Sequence, residues 1–343
     1  MRRRAPMLLA GLLVASAAPP QPPVALDLIA GTTLPPKLSD FHFFTDAAAT
    51  RPNARVIGYT LNTPLFSDYA EKARFLYVPP GQKAHFDGSG ALDFPVGSAL
   101  IKRFAYPADM RQPGRTARVI ETRVLLRRAA GWIALPYIWN ADRSDAVLVR
   151  GGGRVDVAWL GSDGQRQSIS YRIPNTNQCK ECHASAGTIQ PIGPKQRNLE
   201  DGAQVRRLVA AGLLAPAASD ASPLPRWDDA RVPIARRARA YLDVNCGHCH
   251  NRAGAASNSG LYLTWEEADA TATGLFKRPV AAGRGTGGLE FVVEPGHPER
   301  SILLYRMQSI EPGVAMPEQG RAMVHREAVT LLNRWIAAMP PQP

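Results

Sequence analysis

The sequence predicts an α+β protein: an N-terminal β-rich domain, sandwich- or barrel-like, followed by two mainly α-helical modules. Three observations carry this. From residue 51 to 174 the apolar residues come in short or alternating runs broken by Gly, Pro and Asp, the pattern of half-buried antiparallel strands. Beyond 174 the apolar spacing lengthens to that of a helix face. All four cysteines, Cys179, Cys182, Cys246 and Cys249, lie in this second part. They form two C-x-x-C pairs, each followed at once by histidine, "CKECH" and "CGHCH".

Taken in chain order, the opening "MRRRAPMLLAGLLVASAAPP" has a basic start, a short apolar stretch and "ASA" at Ala15–Ala17. That is the layout of a secretory signal peptide over residues 1–17, cleaved near Ala17, and it predicts a periplasmic location. The apolar stretch is too short to span a bilayer and no later segment approaches the length needed, so no integral membrane span is expected. No cysteine follows it to carry a lipid anchor. Residues 18–50, with "PPQPP", read as a Pro/Ala-rich extended lead-in, partly disordered. In the β-rich domain, 51–174, strand candidates are 98–106, 118–128, 131–139, 145–150, 154–160 and 168–173, separated by turn signals such as Gly151–Gly153 and Ser162–Gly164. Asp68, Glu71, His85, Glu121, Trp139 and Asp145 stand out there only as polar or aromatic, and each reads as structural.

Residues 175–225 form the first C-x-x-C-H module and a linker. A helix is expected around 193–214, from Leu199, Val205, Leu208, Val209 and Leu213, before the Pro/Ser-rich "APAASDASPLP". The second module is 226–343. Its helix from Pro233, a residue suited to a first turn, carries Ile234, Ala238, Tyr241 and Leu242 on one face and delivers the second motif. The last helix, 325–339, aligns Ala328, Leu331, Leu332, Trp335, Ile336 and Met339, a stripe expected to pack on the helix entering that motif.

C-x-x-C-H is the attachment pattern of c-type haem. Two thiols three residues apart can add to the two vinyl groups of one porphyrin, and the adjacent histidine then stands under the iron as proximal ligand. Two copies that use every cysteine in the chain predict two covalently bound haem c groups. Cys179 and Cys182 would hold the first, with His183 as its axial ligand, and Cys246 and Cys249 the second, with His250. Haem of this kind is attached outside the cytoplasm, so export and motif support each other. A four-cysteine zinc site leaves the two trailing histidines unexplained, as do disulfides or a thioredoxin-like redox pair. His248, inside the second motif, reads as a solvated spacer.

For the second haem the expected sixth ligand is Met316, in a loop stiffened by Pro312, Gly313 and Pro317 ahead of the final helix. A thioether favours ferrous iron and raises the potential, which suits a carrier. Met323, His325, Met339 and His297 are weaker rivals. The first haem finds no sixth ligand within its own short module. Its partner comes from His42, His85 or Met110 upstream, from Met307, Met323 or His325 downstream, or is absent.

The formal charge of +12, from 41 basic against 29 acidic residues, falls by three when Arg2, Arg3 and Arg4 leave with the leader. In an exported chain this excess does not indicate a nucleic-acid partner. It could steer the protein to an acidic redox partner or an anionic membrane surface.

The region Pro233–Met339 resembles a class I cytochrome c domain. An entry helix leads into "NCGHCH", "VVEPGHPERSILLYRM" precedes an "AMP" loop at Ala315–Pro317, and an amphipathic helix follows. It departs from that pattern at Leu242, four before Cys246, where an aromatic residue is frequent. Over residues 55–343 the chain also resembles a family of exported bacterial dihaem c-type cytochromes of poorly defined physiology. That likeness rests on "LNTPLFSDYAEKARFLYVPPG", "FPVGSALIKRF", "ETRVLLR", "YIWN", "PNTNQCKECH", "IGPKQRNL" and "RAYLDVNCGHCHN". It implies single-electron transfer and names no substrate. By analogy with cytochromes c, the Pro194 region in "IGPKQRNL" would accept a hydrogen bond from His183. Two further functions stay open: a haem enzyme, peroxidase-like or another oxidoreductase, using an open sixth position on the first haem, and a β-domain that docks a partner.

Overall fold

A computed structural model describes residues 22–341 apart from 89, 115–116, 200–202, 217–221 and 281. The leader and part of the 215–225 linker lie outside the described residues. Six strands form one antiparallel meander in chain order: β1 (Val56–Tyr59), β2 (Glu71–Tyr77), β3 (Ala99–Tyr106), β4 (Arg118–Arg128), β5 (Gly131–Trp139) and β6 (Ala146–Leu148). Its register sets apolar residues opposite one another on one face, in the row Phe75, Ile101, Val124 and Leu135.

That face is covered by the segment expected to be a loose lead-in. Helix α1 (Leu26–Ala30) and a single 3-10 turn at Leu38–Phe41 bury Ile29, Leu38, Phe41 and Phe43 against the sheet. The Tyr137 hydroxyl donates to the Pro35 carbonyl at 2.9 Å. Residues 22–50 are therefore part of the core and not an extended tail. Each of these large side chains contributes about 1.5–3 kcal/mol when fully buried, which outweighs the prolines around them.

The β-rich part is thus built on one large antiparallel sheet. A separate hairpin, β7 (Gly153–Leu160) and β8 (Arg166–Ile173), packs Val157, Trp159, Tyr171 and Ile173 beside Phe104 and Tyr106 at one end of the sheet. The other sheet face is closed by helical segments: Leu76 and Leu100 pack with Leu199, Leu208, Leu213 and Leu214. The helix there, α3 (Ala203–Ala210), is shorter than the apolar spacing suggested. Residues 196–198 form only a 3-10 turn, and Gly212, at φ 68°, redirects the chain after α3.

In the C-terminal part α4 (Ile234–Asn245), α5 (Ile302–Gln308) and α6 (Arg326–Ala337) enclose one apolar cluster. Ala238, Tyr241 and Leu242 of α4 share it with Leu331, Leu332, Trp335 and Ile336 of α6, the pairing the apolar stripes predicted.

Polar contacts tie these parts together at one junction. Buried Arg197 reaches Asp243 of α4 at 3.0 Å. Asn198 exchanges hydrogen bonds with the Thr63 backbone, both at 2.9 Å, and Asn245 accepts from the Phe66 amide at 2.7 Å. Among the described residues, no helix is long and apolar enough to cross a membrane.

Candidate functional site: two C-x-x-C-H motifs on one cavity

The first motif lies on a short helix, α2 (Thr176–His183), started by a capping box. Asn175 accepts from the Gln178 amide at 2.8 Å, and the Gln178 side chain accepts from the Asn175 amide at 3.1 Å. Here α2 ends at His183. The chain then folds back through a two-residue ladder, Ala184–Ser185 on Thr188–Ile189, and Gly187, at φ 79°, allows the tight reversal. The reversal places the Gln190 carbonyl 2.8 Å from His183 Nδ1. That bond makes Nδ1 the donor and leaves Nε2 as the free lone pair, as the outer partner of a ligating histidine does. The expected acceptor near Pro194 is thus corrected to Gln190, because the chain turns back before reaching Pro194. The Pro194 carbonyl instead accepts from Leu92 at 3.3 Å.

The second motif follows α4 directly, with Cys246 as its C-cap. Asn251 donates to the Gly247 and His248 carbonyls at 2.8 and 3.0 Å and holds the turn. Gly254 is backed against the Cys249 carbonyl, where a Cβ would stand 2.3 Å away. Each motif is trailed by an Ala-Gly pair, Ala186-Gly187 and Ala253-Gly254, and the two glycines answer to different demands, a left-handed turn in one and close packing in the other. His250 Nδ1 is 3.4 Å from Ser259 Oγ, whose hydroxyl donates to the Ala256 carbonyl.

The two motifs meet. The Ala186 amide, just past the first, donates to the Ala253 carbonyl, just past the second, at 3.1 Å. All four cysteines line one cavity of about 1570 Å³, together with His183, His250 and Met316. Sites for a single drug-sized ligand run to roughly 300–1,000 Å³, so this volume suits two large groups. Met316 is held there by its own amide, which donates to the Arg306 carbonyl at 3.1 Å.

Burial pushes the thiols up, Cys179 and Cys249 to about 11 and Cys246 to about 12. After burial, the neighbouring Cys182 acts most on Cys249, so the two pairs adjoin. A redox C-x-x-C needs the reverse, a depressed thiolate. All four cysteines are free thiols. No three His, Cys, Asp or Glu side chains among the described residues gather as a metal cluster. Burial lowers His183 to about 4 and also lowers His250, so both imidazoles are neutral at pH 7 with a lone pair to give.

The sheet wall of the cavity carries charge. Arg74, Lys102 and Arg123 stand directly opposite one another on β2, β3 and β4, and all three line the cavity. Like charges in cross-strand register destabilise a sheet. Glu121, fully buried, neutralises Arg123 through two hydrogen bonds of 2.7 and 2.9 Å. Arg74 and Lys102 form no ion pair among the described residues, and Arg74 Nη2 is buried without a partner. Burial and then the adjacent cations Arg74, Lys72 and Arg123 hold Lys102 well below the usual lysine range. A ligand with carboxylates in this cavity would complete the row. Haem, which brings paired cysteine attachment, an imidazole ligand and two propionates, fits this donor set.

The other sequence candidates fall elsewhere. His42, His85, Met110, Met323, His297 and Met339 do not line the cavity. Met307 does, but it is buried in the C-terminal core. His325 does too, but its ring stacks on Phe66 at 4.1 Å and its Nδ1 is 3.0 Å from the Tyr241 hydroxyl. In the β-rich part, Asp68 accepts from the Ala322 and Met323 amides, Asp145 pairs with Ser39, and the Trp139 indole donates to Thr122. These are structural roles.

His248 departs from expectation. It is half-buried and lines the cavity, where a solvated spacer was expected. Its Nδ1 is buried without a hydrogen-bond partner; the Val244 carbonyl acts on the ring without reaching hydrogen-bond geometry. Burial lowers it to about 4, and the next influence is His183, ahead of His250 in its own motif. No sequence signal pointed to it, since the spacer positions of C-x-x-C-H carry no rule. No family model, curated protein or solved structure matches the chain.

Proposed function

We propose that the chain is an exported dihaem c-type cytochrome that passes single electrons to or from a redox protein partner. The observation that carries this is the convergence of both C-x-x-C-H motifs on one cavity, in direct contact through Ala186 and Ala253. Each bound haem supplies a one-electron iron couple. Residues of the chain do the rest. Cys179, Cys182, Cys246 and Cys249 anchor the two groups, and His183 and His250 present neutral Nε2 atoms. The Gln190 carbonyl and Ser259 hydroxyl orient the two rings. Arg74 and Lys102 offer partners for propionates, and Met316 supplies a thioether to the second iron. Because the motifs touch, they would hold the two groups as neighbours within the molecule.

The test is a redox titration of the purified holoprotein followed by mixing with an acidic electron-transfer protein. Two one-electron steps and salt-sensitive reoxidation by that partner are expected. Steady turnover of peroxide without a partner would favour the haem-enzyme alternative instead.

A further inference from the structure

We propose that His248, the spacer residue of the second motif, is the sixth ligand of the first haem, opposite His183. The inference rests on the dihaem reading above and supplies the ligand that the first module lacks.

Placement leads to it by elimination. Of the histidines and methionines among the described residues, only His183, His248, His250, His325, Met307 and Met316 line the cavity. His183 and His250 are the motif ligands. The Tyr241 hydroxyl and the Phe66 ring engage His325, and Met307 belongs to the C-terminal core. Met316 belongs with the second motif: its amide donates to Arg306, and Arg306 also contacts Glu318 at 3.6 Å, the residue whose charge reaches Cys249. His248 remains, and no side-chain hydrogen bond engages its ring.

Chain geometry decides which iron it serves. His248 precedes Cys249, which would be tied to the edge of its own porphyrin, and His250 would take one face of that ring. Residues two apart in a tight helical turn do not face each other, so His248 cannot wrap to the opposite face of the same haem. It lines the cavity that the first motif also lines, and its Nδ1 is buried there without a partner. The contact of Ala186 with Ala253, beside the cavity that both motifs line, brings the first haem's site within reach. The second motif would then bind one haem through Cys246, Cys249 and His250 and ligate its neighbour through His248. This closes the first iron to exogenous ligands and couples the two centres through three consecutive residues.

The test is electron paramagnetic resonance and carbon monoxide binding on wild-type, His248→Ala and His248→Met holoproteins. Haem content per chain is measured first. The expected wild type holds two haems, one bis-histidine and one histidine–methionine, both low-spin, and the first does not bind carbon monoxide. In His248→Ala one haem becomes high-spin and binds carbon monoxide, added imidazole returns it to low spin, and the methionine band of the second haem is unchanged. His248→Met gains a second histidine–methionine signature. The proposal is overturned if His248→Ala, with two haems attached, keeps both low-spin and closed to carbon monoxide. Lys102, which lines the same cavity as His183, would then be the next residue to substitute. A wild type with fewer than two haems overturns the dihaem reading itself, and this inference with it.

Discussion

At the scale of single residues, the site depends on atoms whose alternatives are few. Met316→Ala should remove the weak far-red absorption that reports iron–sulfur bonding and lower the potential of one haem. Retention of both properties would assign the ligand elsewhere. Lys102 and Arg74 test the charge row. Near the iron a positive charge disfavours the oxidised form, and a propionate beside Lys102 would hold it protonated against its lowered pKa, so Lys102→Met should lower the first haem's potential by an amount on the order of tens of millivolts. Redox titration of that variant beside Arg74→Gln reads this directly. An unchanged potential in both would mean that the row is neutralised by something other than a haem carboxylate. The cysteines, His183, His250 and Met316, which line one cavity, were all singled out from the sequence as candidates. His248, which lines the same cavity, was not, because its placement depends on which element the fold brings opposite it.

At the scale of elements, strands were read best where turn residues bracket a β-branched run. Arg118–Arg128 and Gly131–Trp139 begin and end where the pattern placed them. By contrast β1 and β2 were missed as strands: "EKARFLY" carries Lys72 and Arg74 on the face that would normally be apolar. Those positions face the cavity or its margin, so charge replaced the hydrophobic alternation that reveals a strand. The N-terminal segment misled in the other direction, since its prolines hid Ile29, Phe41 and Phe43, which the sheet needs as its covering layer. Two substitutions test how the elements hold the site. Asn175→Ala removes the α2 cap and should cost about 1 kcal/mol, seen as lower stability with haem still attached. Leu332→Ala, at a fully buried α4–α6 contact, should cost about 2–5 kcal/mol in chemical denaturation. A loss below 0.5 kcal/mol there would contradict the packing.

At the scale of the whole molecule, the domains expected from sequence share cores. The first motif's module closes one sheet face through Leu199 and Leu208, and Arg197 joins it to α4 through Asp243. Removing one partner of such a buried ion pair costs about 3–5 kcal/mol. Asp243→Asn should therefore lower the thermal midpoint of the whole molecule in a single transition; separate melting of a β-rich part would contradict a shared core. The composition class and the order of parts were readable from sequence, whereas this sharing was not, because it depends on which distant residues the fold gathers, Leu76 in one cluster with Leu199 and Arg197 on Asp243. The net positive charge belongs to this scale too, and its expected reader is an acidic redox partner or an anionic membrane surface. The central claim is that both motifs carry covalent haem, and the most direct measurement is the mass and haem content of the denatured, purified protein. A polypeptide heavier by two haems, with two haem c per chain by pyridine haemochrome, is the predicted result. A colourless protein at the mass of the bare polypeptide, with zinc bound by its cysteines, would contradict it.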